Sequence, residues 1–127
     1  MSDGGETNLG VAPNVGGLLC YVPCCIGLVF SIVVAIVEKK SHFVRFHAFQ
    51  SLLLHGAAIA VFVALWVVSL VLAMIAGPLA LIVTVADAVI GLGLLAVVIL
   101  MMVKAYGNES YKLPTIGDMA DKWAANV

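Results

Sequence analysis

The sequence predicts an all-α integral membrane protein with three transmembrane helices and a short C-terminal interfacial amphipathic helix. Hydrophobic residues make up 64% of the chain and charged residues only 10%, and the mean hydropathy is +1.19. This composition lies outside the range of water-soluble domains. Apolar runs cover residues 18–37, 53–76 and 79–103, and only Asp87 interrupts the third. At a rise of about 1.5 Å per residue, each run is long enough to cross a hydrocarbon core of about 30 Å.

The basic residues predict how these spans are oriented. All of them lie outside the apolar runs, and none precedes the first run or separates the second from the third. They are Lys39, Lys40, Arg45, Lys104, Lys112 and Lys122. With three crossings, the loop after the first run and the C-terminal tail share one side, which the positive-inside rule assigns to the cytosol. The N-terminus is then expected outside and the C-terminus in the cytosol.

The predicted organisation has three parts: a polar leader over residues 1–17, a transmembrane domain over residues 18–103, and a cytosolic tail over residues 104–127. The leader contains no basic residue, so the first run lacks the n-region of a cleaved signal peptide and is expected to remain as a span. The three cysteines of this run lack metal-binding spacing and are expected to pack at a helix interface. The chain carries no basic stripe that would follow a nucleic-acid backbone, so nucleic acid is not an expected partner.

Residues 41–50 lead into the second span. Aromatic and polar side chains recur there at helical spacing, which predicts an interfacial helix with its rings at the level of the lipid headgroups and its basic groups facing phosphates. The recurring residues are Phe43, Phe46, His47 and Gln50. This helix is expected to continue into the second span without a break.

The dipeptide Gly77-Pro78 leaves almost no loop between the second and third spans, so they are predicted to form an antiparallel helical hairpin. Each span carries a stripe of small residues of the kind that lets helices approach closely in lipid. The stripe on the second span is Gly56, Ala60 and Ala64, and that on the third is Ala80, Thr84, Asp87, Ala88 and Gly91. The sequence leaves open whether these stripes pack against each other or against other subunits.

The tail contains a second helix signal. Thr115 is placed to cap a short helix, with Asp118 three residues further on. One face of that helix is apolar and ends at Trp123. It is therefore predicted to lie on the cytosolic membrane surface or against the loop after the first span.

Two signatures stand out beside these patterns: FVRFHAFQS at residues 43–51, and KAY at residues 104–106 followed by KLPTIGD at residues 112–118. Over about residues 15–123, the chain resembles the small prokaryotic membrane proteins grouped with the chloroplast inner-envelope protein-import translocon subunit. The resemblance implies a helical protein of a prokaryotic cytoplasmic (inner) membrane. The plant members belong to a protein-import complex and are described as having four spans, one more than this chain shows.

Asp87 is the only ionisable residue deep within a predicted span, where a charged carboxylate carries a large free-energy cost. Ser69 comes to a similar depth when the hairpin folds at Gly77-Pro78, and it is the expected hydrogen-bond partner of Asp87. The alternatives are a protonated Asp87 that joins two helices, a contact to another subunit, a proton or ion site, and a ligand to a cofactor.

His47, Ser51 and His55 recur every four residues on one helix face. Two histidines eight residues apart lie about 12 Å from each other, too far to share a metal ion, so no metal site is expected. A single imidazole suffices to ligate a haem or chlorophyll in a larger complex, which makes His47 and His55 cofactor candidates. The alternative is an inner-face clamp that holds the returning tail at the membrane surface. The clamp residues are Arg45, His47, Gln50, Lys112, Pro114 and Asp118.

No nucleophile–base pair, phosphate loop or pair of catalytic carboxylates is found in the sequence. The sequence therefore favours a non-enzymatic membrane protein without a cofactor of its own. It would act as an accessory or structural subunit of a larger membrane complex, with membrane lipids and other membrane subunits as partners. The alternatives are a component of a protein-translocation or membrane-insertion system, and a small ion- or proton-handling transporter.

Overall fold

The computed structural model describes residues 7–23 and 25–126, and within these ranges it is built from α-helices without a β-strand. The all-α prediction is therefore confirmed. Residues 1–6 of the predicted leader, together with Cys24 of the predicted cysteine interface, lie outside the described residues. The helices are α1 (Pro13–Leu19), α2 (Cys25–Val37), α3 (His42–Ile75), α4 (Gly77–Tyr106) and α5 (Ile116–Ala125).

Helices α3 and α4 are long and apolar enough to cross a membrane. They pack against each other as the predicted antiparallel hairpin, which turns at Ala76, with Pro78 in the first turn of α4. The Ser41 side chain caps the start of α3 by accepting a hydrogen bond from the Val44 backbone N–H at 3.2 Å. From there α3 runs through the predicted interfacial segment and the second apolar run without a break, as expected.

The first apolar run is not one helix, and the predicted span over residues 18–37 is not confirmed. Helix α1 ends at Leu19 and α2 begins at Cys25. Helix α2 contains only 13 residues, which corresponds to about 20 Å and is too short for a hydrocarbon core of about 30 Å. The structure therefore contains two helices of spanning length among its described residues, not the three expected.

Contacts with α3 show that the chain reverses direction between α1 and α2. Gly16 of α1 lies against Val44, near the start of α3. The Cys20 carbonyl accepts a hydrogen bond from Ser51, two turns further along α3, whereas the Ala35 carbonyl of α2 accepts one from Arg45, back near the start. We call α1, the turn and α2 together the α1–α2 hairpin (residues 13–37). It advances along α3 and returns to the same end.

The reversal between α1 and α2 has local physical causes. Pro23 has no backbone N–H with which to extend α1. A Cβ atom at Gly27 would overlap the Val22 carbonyl oxygen, which accepts a hydrogen bond from the Gly27 N–H at 3.2 Å, so this close approach requires glycine. The Cys20 carbonyl accepts hydrogen bonds from the hydroxyls of Ser31 at 3.1 Å and Ser51 at 2.6 Å. These buried hydroxyls replace the backbone partner that the broken helix would have supplied.

The N-terminal residues that the structure describes lie at the basic end of the α3–α4 hairpin. The Asn8 backbone N–H donates to Glu38 Oε2 at 2.8 Å, and Asn8 Oδ1 accepts from the Lys39 N–H at 2.5 Å. Asn14 Nδ2 donates to the Tyr106 carbonyl, at the end of α4, at 3.2 Å. The described N-terminal residues therefore lie at the same end of the α3–α4 hairpin as the start of the tail, whereas the N-terminus and the tail were expected on opposite sides of the membrane.

The buried core also lies at the basic end of the hairpin. Helix α1 packs between α3 and α4, where a Cβ atom on Gly17 would come within 3.1 Å of both Phe43 and Ala105. Helix α5 packs against the first part of α3. The predicted Thr115 cap of α5 is not formed: Thr115 has φ +66° and its side chain makes no capping hydrogen bond. The turn before α5 is closed instead by a hydrogen bond from the Gly117 N–H to the Leu113 carbonyl at 2.9 Å.

Candidate functional site

A chain of hydrogen bonds crosses the buried core and starts at His47. The His47 Nε2 atom lies 2.9 Å from the Glu109 carbonyl oxygen, which can only accept, so Nε2 carries the proton. The Nδ1 atom is then an acceptor, and the Tyr21 hydroxyl donates to it at 3.0 Å. Both ring nitrogens of His47 are therefore in use within the protein. His47 can bind a cofactor only by breaking one of these bonds.

Gln50 extends the network to the segment after α4. Its Nε2 atom donates to the Tyr21 hydroxyl and to the Tyr111 carbonyl, both at 2.9 Å. Its Oε1 atom accepts from the Leu113 N–H at 2.9 Å. We call Tyr21, His47 and Gln50 the core triad. The core triad joins the α1–α2 hairpin, α3 and the chain between α4 and α5 by hydrogen bonds that leave its polar groups satisfied.

Aromatic rings enclose the core triad. Tyr21, Phe43 and Phe46 meet the His47 ring edge-on, with centroid distances of 5.4, 4.6 and 5.0 Å. All three aromatic side chains are buried. The rings of Phe43 and Phe46 therefore pack inside the protein and do not face lipid, because α1 and α5 cover this part of α3.

Arg45 is buried and makes hydrogen bonds to four backbone carbonyls. Its Nη1 atom donates to the Ala35 and Glu38 carbonyls at 3.2 and 2.7 Å, near the C-terminal end of α2. Its Nε and Nη2 atoms donate to the Ala124 and Asn126 carbonyls at 3.0 and 3.2 Å, near the end of α5. Arg45 thus neutralises the partial negative charge at two helix C-termini. It does not face lipid phosphates, contrary to the sequence prediction.

Glu38 makes the complementary set of bonds in the loop between α2 and α3. It is fully buried. Its Oε1 atom accepts from the backbone N–H groups of Lys40 and Ser41 at 2.9 and 3.0 Å, and its Oε2 atom accepts from the Asn8 N–H at 2.8 Å. Hydrogen bonds from three backbone donors offset the free-energy cost of removing the carboxylate from water. This arrangement ties residues 7–12 to the loop.

The predicted inner-face clamp is divided by the structure into two groups. Arg45, His47 and Gln50 are buried and bind backbone atoms of residues 109–126. The side chains of the other proposed members, Lys112, Pro114 and Asp118, are exposed. Lys112 Nζ lies 3.5 Å from Asp118 and 3.3 Å from Asp121. The tail is thus held through its main chain, and the charged side chains form a separate surface cluster.

The surface cluster joins α5 to the start of α3. His42 Nε2 lies 2.8 Å from Asp121 Oδ1, and Lys112 Nζ contacts the other carboxylate oxygen. The hydrogen bond from His42, and then that from Lys112, holds the pKa of Asp121 below its ordinary value of 3.8. The same pairing raises the pKa of Lys112 above 10.5. Sequence reasoning did not select His42 or Asp121, since a helical surface position gives no signal of a partner 79 residues away.

Sequence reasoning also missed Tyr21 and Glu38. A signal for Tyr21 existed: Tyr21 and Ser31 are the only residues with side-chain hydroxyls in residues 18–37, and both hydroxyls are bonded in the core. Glu38 directly follows the first apolar run and carries no local signal of burial, because one of its hydrogen-bond donors, the Asn8 N–H, lies 30 residues away.

The predicted packing residues lie on two different faces. Ser69, Asp87 and Gly91 are half-buried, and a Cβ atom on Gly91 would lie 3.9 Å from Phe62 of α3. Gly56, Ala60, Ala64 and Thr84 are exposed. The two small-residue stripes are therefore not brought together, because the stripe on α3 faces away from α4. The Thr84 hydroxyl donates to the Ala80 carbonyl of its own helix at 3.0 Å.

The buried carboxyl oxygen of Asp87 does not form the expected hydrogen bond to Ser69. Its Oδ1 atom is buried and has no hydrogen-bond partner among the residues that the structure describes.

His55 differs from His47 in its hydrogen bonds, because only one of its two ring nitrogens has a partner among the described residues. Its Nδ1 atom lies 2.7 Å from the Ser51 carbonyl, which leaves Nε2 as an acceptor without a partner among the described residues. Within residues 7–23 and 25–126, no group of three His, Cys, Asp or Glu side chains is arranged to hold a metal ion.

Comparison with known proteins places this architecture in a family. Residues 5–120 match the profile of the magnetosome magnetite crystal formation protein family. The chain belongs to this family. A UPF0132 membrane protein of Methanocaldococcus jannaschii is 38% identical over 120 residues, which cover 94% of this chain and 96% of the relative. Family membership therefore extends over nearly the whole described fold.

Further relatives have the same description. A second UPF0132 membrane protein of Methanocaldococcus jannaschii is 34% identical over 91% of this chain and 72% of its own length. One from Archaeoglobus fulgidus is 32% identical over 90% of this chain and 97% of its own length. No solved structure matches the chain significantly. These archaeal relatives are named as membrane proteins, in agreement with the two long apolar helices.

The resemblance to the chloroplast import translocon subunit is corrected by this result, since the family match and the relatives are of a different kind. The structure shows what the two signatures encode. Within FVRFHAFQS, Arg45, His47 and Gln50 bind the main chain of the tail, and the KLPTIGD segment forms the turn that receives Gln50. The signatures therefore report how this fold closes at its basic end, not an import activity.

Proposed function

We propose that this protein is a non-enzymatic integral protein of a prokaryotic cytoplasmic membrane that acts as a structural subunit of a larger membrane assembly. Helices α3 and α4 cross the bilayer. The α1–α2 hairpin enters and leaves from the cytosolic side. Helix α5, amphipathic in sequence, lies at that same surface with Trp123 toward the lipid headgroups.

Charge supports the cytosolic assignment of the basic end. Lys39, Lys40 and Lys104 lie close to this end of the hairpin, and the Gly77-Pro78 turn at the other end carries no base. The positive-inside rule then orients residues 7–12 and the tail together toward the cytosol. This orientation replaces the expected external N-terminus.

The observation that carries the assembly proposal is the small-residue stripe on α3. Gly56, Ala60 and Ala64 are exposed although α4 packs on another face of the same helix. A Cβ atom on Gly56 would meet nothing within 4 Å. Small residues on a lipid-facing surface let a further helix backbone come close, which gives van der Waals contact that larger side chains prevent. The same face offers no catalytic group.

The test measures assembly in native membrane. Particles extracted in polymer nanodiscs are weighed by native mass spectrometry for the wild type, for Ala60→Leu and for the matched control Ala96→Leu, which changes an exposed alanine on α4. We expect wild type and control to share one assembled mass and Ala60→Leu to shift toward the single chain. Single chains in all three samples would refute the proposal.

The family description refers to magnetite crystal formation. The packing surfaces of this chain support a role in assembly, and that role does not require a mineral. A role in protein translocation was suggested only by the resemblance to the chloroplast import translocon subunit, and that resemblance is overturned by the family match. A transporter would need a hydrophilic path, which two spans and a partly inserted hairpin this apolar do not enclose by themselves.

A further inference from the structure

A cavity of about 280 Å³ lies beside the tip of the α1–α2 hairpin, between α3 and α4. Its walls are apolar except at His55. The lining residues are Pro23, His55, Phe62, Gly91, Leu94, Leu95 and Val98. The cavity is open on one side, so a molecule dissolved in the bilayer can enter it without crossing water.

The tautomer of the neutral His55 ring is set by its neighbours. The Ser51 carbonyl, 2.7 Å from Nδ1, can only accept, so Nδ1 carries the proton. The Ser51 hydroxyl hydrogen is directed at the Cys20 carbonyl at 2.6 Å, so the hydroxyl can only accept from Nδ1, which lies 3.2 Å away. The lone pair of the neutral ring is therefore on Nε2. This is a fixed hydrogen-bond acceptor in the wall of an otherwise apolar cavity.

An acceptor in apolar surroundings without a donor is unfavourable, and a bound donor relieves this cost. We infer that the cavity binds a membrane-soluble amphiphile of the isoprenoid hydroquinone class. Such a molecule has one aromatic ring that carries hydroxyl groups, and an apolar tail. The ring hydroxyl donates to His55 Nε2, and the ring lies against Phe62. The tail leaves along Leu94 and Leu95 into the lipid.

The size of the cavity decides against a larger ligand. A pocket of about 280 Å³ holds one six-membered ring with its first substituents, and is at the lower limit of small-molecule sites. A tetrapyrrole is several times larger than such a ring and would have to displace Pro23 or Leu94. Gly91 keeps the space open, since the nearest atom to a Cβ there belongs to Phe62 at 3.9 Å.

The experiment uses the full chain in lipid nanodiscs with ¹⁵N-labelled histidine and a decyl-substituted benzohydroquinone as the probe. We expect saturable one-to-one binding that shifts the His55 Nε2 resonance. The dimethyl ether of the probe has no donor and should bind at least tenfold more weakly. Dioleoylglycerol, which has a hydroxyl but no ring, should leave the resonance unmoved.

Variants locate the site. His55→Phe removes the acceptor, and Gly91→Leu or Leu95→Trp fills the cavity, so each should weaken binding at least tenfold. Gly93→Leu is the matched control, because a Cβ atom there meets nothing within 4 Å. Two cavity-filling variants are included so that one folded variant is available if the other does not fold. Equal, non-saturable partition into all variants would overturn the inference, as would equal binding of the dimethyl ether or a response to haem alone.

Discussion

Asn8 lies against Glu38, with its backbone N–H 2.8 Å from Glu38 Oε2, and this bond joins the N-terminal segment to the loop between α2 and α3. The contact is incompatible with a first helix that crosses the bilayer, since the two residues would then lie on opposite sides. It makes the N-terminal segment part of the basic end of the protein, where the tail also docks.

Topology gives the first prediction. A reporter that is active only in the cytosol should work both when fused before Met1 and when fused after Val127, because residues 7–12 and the tail lie at the same end of the hairpin. The control places the reporter between Gly77 and Pro78, where it should be silent. A silent N-terminal fusion beside an active C-terminal one would restore the three-span topology.

Glu38→Gln should destabilise the protein. The amide cannot accept on both atoms, so at least one of the three backbone donors now bonded to Glu38 loses its acceptor, and an amide N–H then faces a backbone N–H. We expect the free energy of unfolding to fall by about 1–3 kcal/mol. Denaturant unfolding in nanodiscs measures it. Glu109→Gln, at an exposed position, is the control and should change stability far less.

Tyr21→Phe tests the core triad. The loss of the hydroxyl leaves His47 Nδ1 without its donor and removes one of the two acceptors of Gln50 Nε2. The expected loss of stability is about 1–3 kcal/mol, with faster proteolysis of residues 107–115. Tyr106→Phe removes an exposed hydroxyl and should behave as the wild type. Equal stability of both variants would show that the Tyr21 hydroxyl contributes nothing to tail docking.

Arg45→Ala and Asp118→Ala should differ in their effect on the tail. Arg45 supplies hydrogen bonds to two carbonyls near the end of α5, whereas Asp118 makes one exposed ion pair of 3.5 Å with Lys112. Charged hydrogen bonds contribute about 1.5–3 kcal/mol, and exposed ion pairs at most about 1 kcal/mol. Proteolysis beyond Val103 should accelerate by about tenfold or more in Arg45→Ala only. Equal acceleration in both would place the docking energy in the surface cluster.

The pH dependence of α5 docking should follow Asp121. Its pKa is lowered by His42 and then by Lys112, so the contribution of Asp121 to docking is present above its ordinary pKa of 3.8 and is lost as the pH falls through the lowered value. Carboxyl ¹³C NMR should give a midpoint below 3.8. His42→Gln should move the midpoint upward more than Lys112→Met, in the order of the two causes. An unchanged midpoint in both variants would remove the cluster as the cause.

The sequence by itself determined the parts of this protein that depend on composition along the chain. The apolar runs of residues 53–76 and 79–103 have the length of a bilayer, and Gly77-Pro78 leaves room only for a tight turn, so a membrane hairpin follows. The spacing of Arg45, His47 and Gln50 selected residues that bind the tail. These features are local, or recur with the period of one helix.

Only the tertiary structure decided the path of residues 18–37. Their hydropathy is that of a transmembrane helix, and hydropathy does not register that the Cys20 carbonyl has two buried hydroxyl partners or that Tyr21 has His47. Those partners lie between 11 and 31 residues away, and they remove the cost of breaking the helix in an apolar environment. The rotation of α3 about its axis was also decided by the tertiary structure. Larger side chains of α3, such as Phe62, pack toward α4, so the stripe at Gly56, Ala60 and Ala64 faces outward.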